Sequence, residues 1–276
     1  MSRFSLNQAT IKHADLPKAV RITAEAGIRS IGLWREPVAE FGVARSVREV
    51  RAAGLRVSSL CRGGFFTTPE HSARQAVLDD NRRAIDEAAA LSAHALVLVA
   101  GGLPTGSRDL VGARNRVADA LAELAPYAAE RGVRLAIEPL HPMYVSDRAV
   151  VSTLDQALEL AAPFAPEVVG VVIDTFHLWW DPRLPEAIAR SGAEGRIASY
   201  QICDWVTPIA MDPLLSRGIP GDGDIDFDSF TRLVASAGYK GDIECEVFRQ
   251  EIWDADPGEI ARRALRAYTV LVEPAL

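Results

Sequence analysis

Two acids, each followed three residues later by a histidine, suggest chemistry: Glu138 and His141 in LAIEPLHP, and Asp174 and His177 in VVIDTFHLWWDP. Each acid closes a short apolar run. A carboxylate and an imidazole placed there can ligate a cation or move a proton. Further along, IASYQICDW carries Gln201, and GDIECEVF carries Glu244 and Glu246. A single acid ending an apolar run is ordinarily a cap or a solvated loop group. Polar residues closing four successive runs are poorly explained that way.

Side chains alternate along a strand, so the phase of each run can be checked. Glu138 shares a face with Ala136, Asp174 with Val172, and Glu244 with Glu246. The opposite faces carry Leu135 and Ile137, Val171 and Ile173, and Ile243, Cys245 and Val247. Those more apolar faces should pack on helices, which turns the acids toward one another. Converging carboxylates repel and lose hydration unless something positive sits among them. A divalent cation is the economical answer. Carboxylates with a Gln amide oxygen make an all-oxygen set, which suits Mg²⁺ or Mn²⁺ better than Zn²⁺. The competing explanation is a salt-bridged cluster with Arg35, Arg62 or Arg217.

The elements that must position these groups follow one pattern. A short β-branched run ends in a polar or glycine-rich turn, and a longer Ala/Leu/Arg/Glu segment with helical spacing follows. Strands are expected at Arg3–Leu6, Ser30–Leu33, Arg56–Leu60, Ala95–Ala100, Arg134–Glu138, Gly170–Asp174, Ile197–Cys203 and Asp242–Val247. Helices are expected at Leu16–Ala26, Glu40–Ala53, Ser72–Ala90, Arg108–Glu130, Thr153–Ala161, Leu184–Ser191, Phe227–Ala237 and Gly258–Val270. Several close on glycine, as in EAGIRSIGL and AERGVRLAI, where a left-handed C-cap fits. Eight alternations in 276 residues predict an α/β fold, a single-domain (β/α)8 TIM barrel over residues 1–276. An open doubly wound sheet is the alternative. It would usually show a glycine-rich phosphate turn after an early strand, and neither GxGxxG nor GxxxxGK[ST] is present.

Composition narrows the partners. The chain is 49% hydrophobic with a formal charge of −7, which disfavours nucleic acid. It has no apolar run long enough for a membrane span, and MSRFSLNQAT has no signal-peptide pattern. Cys61, Cys203 and Cys245 form neither a disulfide framework nor a CxxC pair and are expected as small buried hydrophobes. The cytoplasm is the expected compartment.

Taken in order, IEP, DTFH, QICD, PGDGDIDF and IECEVF resemble the xylose-isomerase-like barrel family, essentially along the whole chain. Its members include sugar-phosphate isomerases and epimerases, ketose 3-epimerases, hydroxypyruvate isomerase and inosose dehydratase. The resemblance implies metal ligation by Glu138, Asp174, Gln201 and Glu246, with Glu244 the second choice on the last strand. Where many members have a metal histidine, this chain has Gln201, as hydroxypyruvate isomerases do. That favours Mn²⁺ or Mg²⁺ over Co²⁺ or Zn²⁺. Glu138 and Glu246 are the expected catalytic acid–base pair. His177 and Arg217 are implied substrate contacts. Trp34 and Trp179 are expected to wall the pocket, with Trp180 and Trp205 nearby. His141 fits a loop cap or a substrate contact, and Arg62 in CRGGFF fits a phosphate contact or a salt bridge. His13, His71 and His94 are expected to be structural or solvated.

The implied activity is metal-dependent isomerisation or epimerisation of a small keto-sugar or polyol, by proton abstraction beside a carbonyl through an enediolate. The alternative is a lyase acting on a cyclic keto-polyol or a 3-keto-glycoside. An endonuclease IV-like three-zinc site would need many histidines, and the chain has five. A non-enzymatic sugar-binding barrel is the remaining class. The expected partner is a small-molecule carbohydrate, and members are often homo-oligomers.

Overall fold

A computed structural model describes residues 2–276. The expected barrel forms. Its strands are β1 (Phe4–Asn7), β2 (Ser30–Trp34), β3 (Arg56–Gly64), β4 (Leu96–Val99), β5 (Leu135–Glu138), β6 (Val169–Asp174), β7 (Ile197–Ile202) and, last in sequence, β10 (Ile243–Cys245). They close in the order β1-β10-β7-β6-β5-β4-β3-β2, every neighbour parallel. Between β7 and β10, β8 (Asp204–Trp205) and β9 (Arg217–Gly218) pair antiparallel as a short ribbon.

Helices cover the outside, including Leu16–Glu25, His71–Leu91, Leu110–Glu130 and Pro257–Leu271. Their starts follow from capping chemistry. Asp15, Asp109, Thr153, Asp226 and Asp256 each accept a backbone N–H in the first turn of the helix they precede. The helix expected over Glu40–Ala53 is instead two, Arg35–Phe41 and Val43–Ala52. Gly42 between them takes φ 93, a left-handed value that no helix continues through.

The last barrel strand is also shorter than Asp242–Val247. The Thr10 hydroxyl donates to Cys245 O at 3.0 Å and accepts from Val247 N at 2.9 Å. A side chain thereby replaces the ladder, and Glu246 sits just past the strand end.

The barrel interior confirms the phase of the acids. Cys61, Val97, Ala136 and Val172 belong to a small apolar cluster separate from the large core beneath the helices. They come from barrel strands yet do not join the helix-packed core, so they line the inside. Ala136 and Val172 are the residues that share faces with Glu138 and Asp174. The acids therefore stand above this plug, at the C-terminal mouth where barrel enzymes gather their functional groups.

Candidate metal centre

Asp174 ends β6 and caps the one-turn helix Thr175–Leu178, its Oδ1 accepting from Phe176 N at 2.8 Å. That turn carries His177 back over the strand ends. Glu138 ends β5 on the neighbouring strand. Glu138, Asp174 and His177 bring one ligand atom each within 4.8 Å of one another, and all three are buried. Glu246 and Gln201 stand beside them, also buried. Asp174 and Gln201 are direct neighbours across β6 and β7.

Arg217 enters from the β8–β9 ribbon and is 2% exposed. Its Nη1 donates to Asp174 Oδ2 at 3.0 Å and to Glu246 Oε2 at 3.2 Å. Its Nη2 lies 2.8 Å from His177 Nε2. Expected on the substrate, Arg217 is instead tied into the acids. The salt-bridged cluster weighed from the sequence is thus partly present. One guanidinium faces three carboxylates, however, leaving two negative charges uncompensated if all ionise. Arg35 takes no part and pairs with Asp80 at 2.8 Å and Glu87 at 2.6 Å.

The electrostatics mark a site with more buried carboxylate than Arg217 compensates. Burial pushes the Glu138 carboxyl well above its usual range, and the charges of Asp174 and Glu246 push the same way. Burial raises Asp174 despite Arg217, and it raises Glu246 to about 8. Burial and then the Arg217 charge hold His177 well below its ordinary pKa, so the imidazole is neutral. Both ring nitrogens face donors: Arg217 at Nε2, and the His141 amide at Nδ1, 3.2 Å away. A neutral imidazole has one acceptor nitrogen and satisfies only one of them. Gln201 Oε1 and Glu246 Oε1 are buried with no hydrogen-bond partner. Orphaned buried oxygens are uncommon and costly. Two such atoms beside under-compensated carboxylates fit a hard divalent cation.

Glu244 belongs to a different environment. It takes hydrogen bonds from Asn7 Nδ2 at 2.7 Å, Ser58 Oγ at 2.5 Å and Ser59 Oγ at 2.9 Å. Gln201 Nε2 lies 3.4 Å from Glu244 Oε1, which leaves the Gln201 oxygen pointing elsewhere. With its own oxygens so engaged, Glu244 is a poor ligand and Glu246 the better one.

A cleft of about 460 Å³ opens over this cluster, lined by Glu138, His177, Arg217 and Glu246 and walled by Trp34 and Phe248. A larger hollow of about 640 Å³ lies at the opposite mouth, around Arg3, Arg56 and Asp242, and holds none of the acid cluster. Trp34 and Arg62 line the cleft as expected. Trp179 does not; it is 37% exposed and packs on Trp205 at 5.6 Å between ring centres. His141 lies outside the lining too, its Nδ1 accepting from Met143 N at 3.2 Å as a cap of the following turn. Two contributions escaped the sequence patterns. Lys12 and Arg148 reach the cleft from loops that carry no motif. Asp204, the acid of QICD, holds the PGDGDI segment by accepting from the Gly221, Gly223 and Ile225 amides.

A closed parallel barrel with buried acids and a histidine converging at its C-terminal mouth defines a recognisable class. The chain belongs to the xylose isomerase-like TIM barrel family, whose model matches residues 20–270. It is similar to protein SMc04130 of Sinorhizobium meliloti 1021, 45% identical with a TM-score of 0.95, over 98% of each chain. It is 27% identical to a 3-dehydroshikimate dehydratase of Pseudomonas putida KT2440, over 94% of this chain and 40% of that protein. It is 29% identical over 148 residues to an inosose isomerase of Bacillus subtilis 168, which is 53% of this chain and 51% of the relative. The matched region thus spans about half or less of the length of these two curated relatives.

Proposed function

We propose that this barrel is a divalent-metal-dependent isomerase or epimerase of a small keto-sugar or polyol. The observation that carries it is the buried acid–histidine cluster with two orphaned oxygens at the cleft floor. Glu138, Asp174, Glu246 and the Gln201 amide oxygen would hold the ion, with Mn²⁺ or Mg²⁺ favoured by their chemistry. A bound ion would polarise a substrate carbonyl and so acidify the neighbouring C–H.

The protein's own groups do the rest. Glu138 and Glu246 border the cleft from nearby strands. One takes the proton from the carbon beside the carbonyl, and the same or the other returns it, to the adjacent carbon or to the opposite face. Both carboxylates reach the cleft where the substrate carbon would stand, which is the geometry this exchange requires. His177, neutral and pinned by Arg217, is placed to orient a substrate hydroxyl. Trp34 offers an apolar wall to a carbon skeleton.

The similarity to a 3-dehydroshikimate dehydratase supports a second reading, a lyase on a cyclic keto-polyol. It shares the first proton transfer and then expels a β-substituent. Incubation of the metal-supplemented protein in D₂O with keto-sugars, inososes and 3-keto-glycosides tests both. Deuterium uptake at unchanged composition is the expected result, while loss of water would favour the lyase. No metal-dependent exchange across the panel would sink the proposal.

A further inference from the structure

We propose that the cleft selects an anionic substrate, with Arg62 and Lys12 receiving its carboxylate or phosphate group. The inference rests on the keto-polyol reading and names the substrate class.

Four cations line the cleft: Lys12, Arg62, Arg148 and Arg217. Two have acidic partners. Arg217 pairs with Asp174 and Glu246, and Arg148 with Asp212 at 3.0 Å. Among the described residues no carboxylate lies within 4.0 Å of Arg62 or Lys12. The salt bridge that CRGGFF could have made is therefore absent, and the anion contact remains.

The loop is built to hold this guanidinium ready. Arg62 is half-buried, its guanidinium carbon 4.5 Å from the Phe65 ring centre and 5.7 Å from that of Trp34. Phe65 takes φ 63, a left-handed value that strains a bulky residue. Core packing does not repay that strain, since Phe65 is 43% exposed. What the strained backbone achieves is a ring set against Arg62. Gly64, at φ 114, allows the turn, because a Cβ there would meet Val99 O at 1.8 Å. Lys12 stands over the Trp253 ring at 4.3 Å, and Trp253 is fixed by its Nε1 donating to Ala9 O. Both cations thus rest on aromatic faces, which orient them without neutralising their charge. An anionic group is the partner that two such donors lack.

The test uses keto-polyols matched in skeleton and differing in one substituent: hydroxyl, carboxylate or phosphate. Deuterium uptake gives kcat/KM for each with wild type, Arg62→Gln and Lys12→Gln, all metal-loaded. Wild type should favour an anionic member over its neutral partner by about tenfold or more, as one charge-assisted hydrogen bond supplies. Arg62→Gln should cut that ratio about tenfold, and the exposed Lys12→Gln about threefold. The carboxylate and phosphate arms show which group is preferred. Calorimetric titration of the same compounds reads anion binding even where none exchanges. Failure of exchange alone would therefore defeat the isomerase reading and leave the anion pocket decided by binding. Equal binding of neutral and anionic members, or a ratio unchanged in both variants, would overturn the inference.

Discussion

Asp174 and His177 lie three residues apart, yet the structure gives them different work. Asp174 is strand-borne, with one oxygen on a backbone amide and the other on Arg217. His177 rides the following helical turn, and both its nitrogens are met by donors. Asp174→Ala should therefore purify with little metal. His177→Ala should keep metal near the parental level while losing turnover by about tenfold to a hundredfold, the scale of a misplaced substrate contact. Metal analysis of the two proteins decides it. A metal-free His177→Ala would make the histidine a ligand, as its closeness to Glu138 and Asp174 allows. Glu138 and Asp174 were legible in the sequence because period-two alternation fixes which way a strand residue faces, whereas Glu246, one residue past β10, was set above Glu244 by the family resemblance. The destination of Arg217 was not. Residues 205–216 carry no periodic pattern, so nothing in the sequence said how far the chain would fold back before β9. Trp179 misses the cleft for a related reason, and of the two roles open to His141 the cap is the one seen. Each lies past a strand end, where alternation no longer governs direction.

The β8–β9 ribbon and the turn after it place Arg217, and one buried residue organises them. Asp204 accepts from Trp205 N, Gly221 N and Gly223 N at 2.8 Å and from Ile225 N at 3.0 Å. It is fully buried. Removing the carboxylate would leave the buried Ile225 amide and three part-buried ones without their acceptor, so Asp204→Ala should lower unfolding free energy by about 2–4 kcal/mol. Asp204→Asn keeps one oxygen and should cost less. Urea unfolding measures both. An Asp204→Ala loss below about 1 kcal/mol would mean that the turn finds other acceptors and that the ribbon is held from elsewhere. Elements with a strong repeat were legible: eight barrel strands, and helices marked by helical spacing and, in several, a closing glycine. The split at Gly42, the Thr10 bridge that shortens β10, and the β8–β9 ribbon were not. Each depends on a contact between residues distant in sequence or on one backbone angle, and neither leaves a periodic trace.

At the scale of the whole molecule, the site is a concentration of buried charge within a barrel otherwise plugged by apolar side chains. No helix is long and apolar enough to cross a membrane among the described residues. The cost of the site therefore falls on folding itself. Glu246 titrates near 4.5 when unfolded and at about 8 in the folded chain, because burial disfavours its charge. Between those values the folded state holds a proton that the unfolded state has released. Stability from this group is full below about pH 4.5 and is lost as pH rises through about 8. The buried Glu138 is shifted in the same direction. Metal-stripped protein should accordingly be less stable at pH 8 than at pH 5.5, by roughly 2–4 kcal/mol relative to Glu246→Gln, which cannot ionise there. A divalent ion binds the deprotonated form, so it should raise the melting temperature more at pH 8 than at pH 5.5. Thermal unfolding of both proteins at the two pH values, with and without Mn²⁺, measures all of this. If wild type and Glu246→Gln show the same pH slope without metal, Arg217 already compensates the carboxylates. The acids would then be a self-sufficient ion-pair cluster, and the physical need for a cation at the barrel mouth would disappear.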